Sequence, residues 1–174
     1  MFRRLVKLTL KSATYFVTFA SGVHVGTELR RKDGFHGYYS ITFNGSSMEP
    51  TLFPQKTRLL GRTFCPKSDS VKRGDIVDIA IPHAAGNGRT RSAIKRVIGL
   101  PGDEVWNDRK AAWESVPQGH VYVLGDNRKI SRDSRTYGPV PTENISKKII
   151  LQYWPVKLNL EYKDGEKDPI VRCK

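Results

Sequence analysis

The chain has 174 residues, 38% hydrophobic and 10% aromatic, and a formal net charge of +13. That length and composition call for a globular portion rather than a wholly disordered chain, and supply one packed domain rather than two. The charge excess points to an anionic partner, either nucleic acid or an anionic lipid surface, without choosing between them.

The amino terminus concentrates the charge. Residues 1–32 carry seven Lys or Arg against Glu28 alone, and the first 27 residues contain no acid. Residues 12–27 are uncharged and include Tyr15, Phe16, Val17, Phe19, Val23 and Val25, with cations on both sides. The stretch is short of the roughly 20 apolar residues of a spanning helix and is interrupted by Gly22, Gly26 and His24. A weak retained anchor, an interfacial helix and a cleaved targeting segment all fit; the retained anchor in a lipid bilayer is preferred.

After a Gly/His/Tyr connector, residues 38–43 predict a first strand, followed by the loop Asn44-Gly45-Ser46-Ser47-Met48-Glu49-Pro50-Thr51-Leu52. Pro50 keeps a helix from starting at Ser47, so the serine sits in a loop at a strand end. Residues 57–60 suggest a short strand, and residues 62–72 a polar surface loop. The β-branched run Ile76–Ile81 predicts a strand closed by a hairpin connection over residues 82–89, and residues 92–98 a further strand. Residues 106–118 are turn-rich, with a brief helix or strand within 110–114. Residues 119–124 and 147–154 predict the last strands, separated by a long polar loop over 125–138. The pattern is that of an all-β domain behind an amino-terminal helix: anchor at 1–32, catalytic domain at 33–155 and a charged tail at 156–174.

A serine hydroxyl is a weak nucleophile until a base removes its proton. The four histidines, His24, His36, His83 and His120, fall in the anchor, the connector, a turn and the opening of a strand. None sits in a pattern that marks a general base, and no Gly-x-Ser-x-Gly elbow occurs. Lys95 stands out, because Ala93-Ile94-Lys95-Arg96-Val97-Ile98 places it inside an apolar strand. There it shares a face with Ala93 and Val97, with Arg96 on the opposite face beside Ile94 and Ile98. Two readings stand: an amine desolvated enough to act as a base, or a lysine snorkelling from an edge strand. Cys65 and Cys173 lie far apart with no metal-binding spacing, so neither a metal nor another cofactor is expected.

Taken together, four segments resemble the type I signal peptidase family. Ser47-Met48-Glu49-Pro50-Thr51-Leu52 looks like its nucleophile box, and Arg73-Gly74-Asp75-Ile76-Val77 like the next. Lys95 through Asp103 resembles the lysine box. Gly125-Asp126-Asn127-Arg128 with Ser131, Asp133, Ser134 and Arg135 resembles the last. Within the family the likeness is greatest to the mitochondrial inner membrane members, and among their paired subunits to the first.

The resemblance implies coiled antiparallel sheets and a Ser/Lys dyad, with Ser47 as nucleophile and Lys95 as base. It implies that Ser131 orients Lys95, and that Asp126 and Asp133 pair with Arg96 and Arg135. Ile41, Phe43, Met48 and Ile94 would contact the substrate. The oxyanion would rest on the backbone N–H groups of Ser47 and Ser46, since Gly45 stands where bacterial members often carry a hydroxyl. The implied partners are precursor polypeptides with amino-terminal sorting signals, the bilayer and a sister subunit. The implied place is the mitochondrial inner membrane, with the catalytic domain facing the intermembrane space; a bacterial plasma-membrane signal peptidase is the alternative. Two rivals of other kinds remain. A basic β-domain that binds nucleic acid lacks the interleaved aromatics such a surface needs, so no nucleic acid is expected. A self-cleaving Ser/Lys repressor would carry a helix-turn-helix domain ahead of the protease, and 40 residues with a weak apolar stretch do not supply one.

Overall fold

The structure, a computed structural model, describes residues 27–31, 34–82, 90–157, 160 and 171–172. β-Strands make up nearly all of its regular structure. The larger sheet follows the order β1 (Thr27–Arg31), β2 (Gly34–Phe43), β3 (Thr57–Thr63), β10 (Ile145–Trp154), β4 (Ile76–Pro82), β5 (Thr90–Gly99), β8 (His120–Leu124) and β9 (Val140–Pro141). The short β11 (Val156–Lys157) pairs with β10 off that path. A smaller sheet joins β6 (Glu104–Asn107), β7 (Ala112–Ser115) and β12 (Val171–Arg172). All pairings described are antiparallel.

Side-chain alternation explains the outer strands. In β3, Thr57, Leu59 and Gly61 are buried while Arg58 faces water. The central strands obey a different rule. In β4 the consecutive residues Ile76, Val77, Asp78 and Ile79 are all buried, and in β5 so are Ile94 through Ile98. Both faces of these strands are covered, so their sequences read as unbroken apolar runs. One core, on the face of Val77, Ile79 and Val97, also contains Phe64, Val121, Val123, Val140 and Ile145. A second joins Phe43, Met48, Leu52, Leu59, Ile76, Ile94 and Ile149 under the serine loop. A third, around Tyr122 and Leu124, seats the smaller sheet. The paired residues Val77 and Lys95 therefore share a side of the sheet, and Ile76 and Arg96 the other.

Several boundaries differ from the sequence reading. The anchor helix expected at 12–27 lies outside the described residues except for Thr27, and Thr27–Arg31, assigned to the anchor, pairs as β1 with β2. Among the described residues no helix is long and apolar enough to cross a membrane. The connection at 83–89 is outside the described residues, although Pro82 and Thr90 pair across it as an antiparallel hairpin requires. The turn-rich stretch 106–118 holds the end of β6 and all of β7, so the brief element within 110–114 is a strand. The long polar loop 125–138 turns much of its length inward. Asp126, Arg128, Ser131, Asp133, Ser134 and Arg135 are all buried there, and Ser134–Tyr137 forms a single helical turn, α1.

Candidate active site

The serine loop leaves β2 at Phe43 and returns into β3 at Thr57. Its neck is closed by Gly45 N–H donating to the Pro54 carbonyl at 2.8 Å, and its turn by Leu52 N–H donating to the Met48 carbonyl at 2.8 Å. Met48 and Leu52 are fully buried in the core below, which pins the loop and leaves Ser47 half-buried above it. Gly45 has φ +150°, a backbone region that L side chains rarely adopt. This gives a physical reason for the absence of a hydroxyl residue there.

Lys95 approaches from the middle of β5. Its Nζ lies 2.9 Å from Ser47 Oγ and 2.9 Å from the Ile94 carbonyl oxygen. The side chain is only 4% exposed, so the snorkelling alternative does not describe it. Burial pushes its pKa down to about 8, against the opposing pull of Asp133; Arg91 adds to the lowering and Asp126 opposes it. The hydroxyl and a readily deprotonated amine are thus within hydrogen-bonding distance, in an apolar setting. His120, the histidine whose side chain is described, instead lies with Nδ1 3.0 Å from the Gln118 carbonyl.

The supporting residues pair as Arg96 with Asp126 and Arg135 with Asp133. Arg96 clasps Asp126 with Nε–Oδ1 at 2.9 Å and Nη2–Oδ2 at 2.7 Å, tying β5 to the loop after β8. The same guanidinium donates to the Gly74 carbonyl at 2.8 Å and to the Leu160 carbonyl at 2.9 Å. Asp133 and Arg135 pair within their own loop, at 2.9 Å from Nε to Oδ1. Asp133 also caps α1 and accepts from Gly125 N–H at 3.1 Å. Arg135 reaches onward to Asp108 at 3.1 Å and to the Arg128 carbonyl at 2.6 Å.

Backbone contacts draw the four segments together. Asn127 N–H donates to the Ser47 carbonyl at 3.0 Å. Gly74 N–H and the Val97 carbonyl are 2.8 Å apart, Val97 N–H returns to Asp75 at 2.8 Å, and Arg73 pairs with Asp103. Gly125 is the tightest point: a Cβ there would sit 2.5 Å from the Ser47 carbonyl oxygen and would overlap Ser131 Oγ. Only glycine lets the last loop lie this close to the nucleophile loop.

Two expectations need correction. The hydrogen bond from Ser131 to Lys95 is not made; Ser131 is 1% exposed and its Oγ has no partner among the described residues, although it abuts Gly125. Met48 is fully buried and has no surface to offer a substrate, because the chain turns its side chain down to anchor the loop. Phe43 and Ile94 belong to the same core and keep only slivers of exposure, and Ile41 is the half-buried member at its rim. No backbone carbonyl among the described residues accepts from the N–H of Ser46 or Ser47.

The sequence reading missed the smaller sheet's part in the site. Asn107 donates to the Arg135 carbonyl at 3.0 Å, and Arg109 to the Ser131 carbonyl at 2.8 Å and Thr136 Oγ1 at 2.9 Å. An Asn-Asp-Arg run after a short apolar strand is a faint signal, since it also reads as an ordinary turn.

The profile of the family described as signal peptidase, peptidase S26 matches residues 36–113 and 106–154. A mitochondrial ATP-independent inner membrane protease subunit 1b of Arabidopsis thaliana is 34% identical over 152 residues, covering 84% of this chain and 83% of that protein. A mitochondrial inner membrane protease subunit 1 of Xenopus tropicalis is 35% identical over 164 residues, covering 90% and 89%. The protein of that name from Schizosaccharomyces pombe is 40% identical over 119 residues, covering 64% and 71%. With matches of this extent spanning all four segments, the chain belongs to the signal peptidase, peptidase S26 family.

Proposed function

We propose that this chain is a serine endopeptidase that removes amino-terminal sorting peptides from precursor proteins, with Ser47 as nucleophile and Lys95 as general base. The observation that carries the reading is the 2.9 Å separation of Lys95 Nζ from Ser47 Oγ, with the amine buried and its pKa lowered to about 8. In the neutral state Lys95 accepts the hydroxyl proton as Oγ attacks the scissile carbonyl carbon. The oxyanion is received by the N–H of Ser47 with that of Ser46 beside it. The Lys95 ammonium then passes the proton to the departing amine nitrogen, leaving an ester on Ser47. Lys95 next deprotonates a water, which attacks the ester; the tetrahedral intermediate collapses and Ser47 recovers its hydroxyl. Asp126, through Arg96, ties the last loop to the lysine strand, Asp133 braces that loop internally through Gly125 and Arg135, and Asn127 N–H joins it to the Ser47 carbonyl. Ile41, with the exposed fringes of Phe43 and Ile94, takes small substrate side chains at alternate positions of an extended peptide.

The relatives' names support a place at the mitochondrial inner membrane and a paired assembly, since both a subunit 1 and a subunit 2 are among the matches. We assign the chain to that membrane, held by the segment within residues 1–32, with the catalytic domain in the intermembrane space beside a sister subunit. The test is processing of sorting-signal precursors by the membrane-embedded protein. Ser47→Ala and Lys95→Ala are each expected to abolish cleavage while the variants keep the wild-type melting profile. Near-normal cleavage by the Lys95 variant would show that another base acts.

A further inference from the structure

Beyond the four matched segments, the chain after β10 folds back onto the nucleophile loop. β11 is held to β10 in register, with Lys157 opposite Gln152 and Val156 opposite Tyr153. Gln152 is fully buried and its Nε2 donates to the Pro155 carbonyl at 2.6 Å, which fixes the turn between the two strands. From this braced base the Lys157 ammonium reaches across to one short stretch of the serine loop. It donates to the Pro50 carbonyl at 3.0 Å and to the Thr51 carbonyl at 2.8 Å, and lies 5.8 Å from the centroid of the Phe53 ring. A few residues on, the Leu160 carbonyl accepts from Arg96 and its side chain packs on the core that carries Met48 and Leu52.

We infer that Lys157 is a positioning residue, clamping the Pro50–Phe53 turn and thereby holding Ser47 Oγ in reach of Lys95. The inference rests on the proteolytic reading of the Ser47–Lys95 pair and extends the working site into the carboxyl-terminal segment. The serine loop is anchored below by Met48 and Leu52 and at its neck by the Gly45–Pro54 hydrogen bond. Neither contact fixes the carbonyls of Pro50 and Thr51, and Lys157 supplies that restraint. Lysine suits the task because a compact ammonium with three donors can serve two carbonyls and face a ring at once. Removing it frees the turn, and a displacement of about 1 Å at a nucleophile lowers turnover by one to two orders of magnitude. Substrate binding along β2 and β5 is left intact.

The test uses the full-length protein in detergent with a synthetic sorting-signal peptide. Lys157→Met is expected to lower kcat about tenfold or more with KM within about twofold, while Lys157→Arg, which keeps a donor cation, restores most of kcat. Unchanged kcat in the methionine variant, or equal loss in both variants, would overturn the inference. A second arm does not depend on proteolysis. In a Ser47→Cys background the pH midpoint of iodoacetamide alkylation at position 47, read by peptide mass, reports the nearness of Lys95. Adding Lys157→Met is expected to raise that midpoint by about half a pH unit, toward that of a free cysteine. No change in the midpoint overturns the clamp even if no peptide is cut; absent cleavage by the wild-type enzyme with a shifted midpoint refutes the proteolytic reading and leaves the clamp standing.

Discussion

Replacing Lys95 by methionine separates what the lysine costs the fold from what it gives the chemistry. The amine's pKa falls from 10.5 to about 8 in the folded chain, mainly because burial disfavours the ammonium. Below pH 8 the group is protonated in both folded and unfolded chains, and the fold carries the full penalty of burying the charge. Between pH 8 and 10.5 the unfolded chain holds the proton and the folded chain has released it, so stability rises with pH. Above 10.5 both are neutral and the penalty is gone. At about 1.4 kcal/mol per pH unit the penalty at pH 7 is about 3 kcal/mol. Methionine has similar length, carries no charge and forfeits the contacts to Ser47 Oγ and the Ile94 carbonyl, each worth about 1 kcal/mol. The variant is therefore expected to be inactive yet about 1 to 2 kcal/mol more stable than wild type at pH 7. That advantage should fall by about 3 kcal/mol, and reverse, as the pH approaches 11. Urea titrations of both proteins at intervals from pH 7 to 11 measure the difference, in which all other titrating groups cancel. A stability difference that stays flat with pH would show that Lys95 keeps its ordinary pKa, and the reasoning would fail.

Three further outcomes follow from the same geometry. The kcat/KM of wild type should climb with pH through a single ionisation near 8, set by the lowered Lys95 pKa, and Lys95→Arg should be inactive throughout because guanidinium holds its proton. Asp126→Asn removes the carboxylate that the buried Arg96 clasps and should destabilise the protein by about 3 kcal/mol in denaturant titration, with activity lost in proportion. Gly125→Ala drives a methyl group to within 2.5 Å of the Ser47 carbonyl, so it should lower both the melting temperature and kcat; unchanged values would mean that the two loops separate freely.

The strands were legible wherever the apolar pattern was unambiguous. The runs in β4, β5 and β8 announced themselves because these strands are buried on both faces, and Lys95 stood out against such a run. The placement of Arg96 opposite Lys95 followed from the period of two alone, and the structure sends Arg96 to Asp126 on the other side. The 125–138 loop was the harder part. Its buried residues are charged or polar, and composition alone reads that as a solvated surface. The Arg96 guanidinium, distant in sequence, draws Asp126 inward, while Asn107 and Arg109 hold the loop's backbone through the Arg135 and Ser131 carbonyls. The role of Met48 was misjudged for a related reason: adjacency to the nucleophile says nothing about which way a loop side chain faces. Lys157 was likewise invisible, since a lysine in a charged stretch carries no sign of the two carbonyls it reaches across 106 and 107 positions.

The most direct test of the base is the titration of Lys95 itself. In protein carrying 13Cε-labelled lysine, the resonance absent from Lys95→Met is assigned to Lys95 and followed from pH 6 to 12. A midpoint near 8 is the predicted result, as burial beside Ser47 requires. A midpoint above 10, in the ordinary range of a lysine side chain, would mean that the amine stays charged at working pH and cannot take the Ser47 proton.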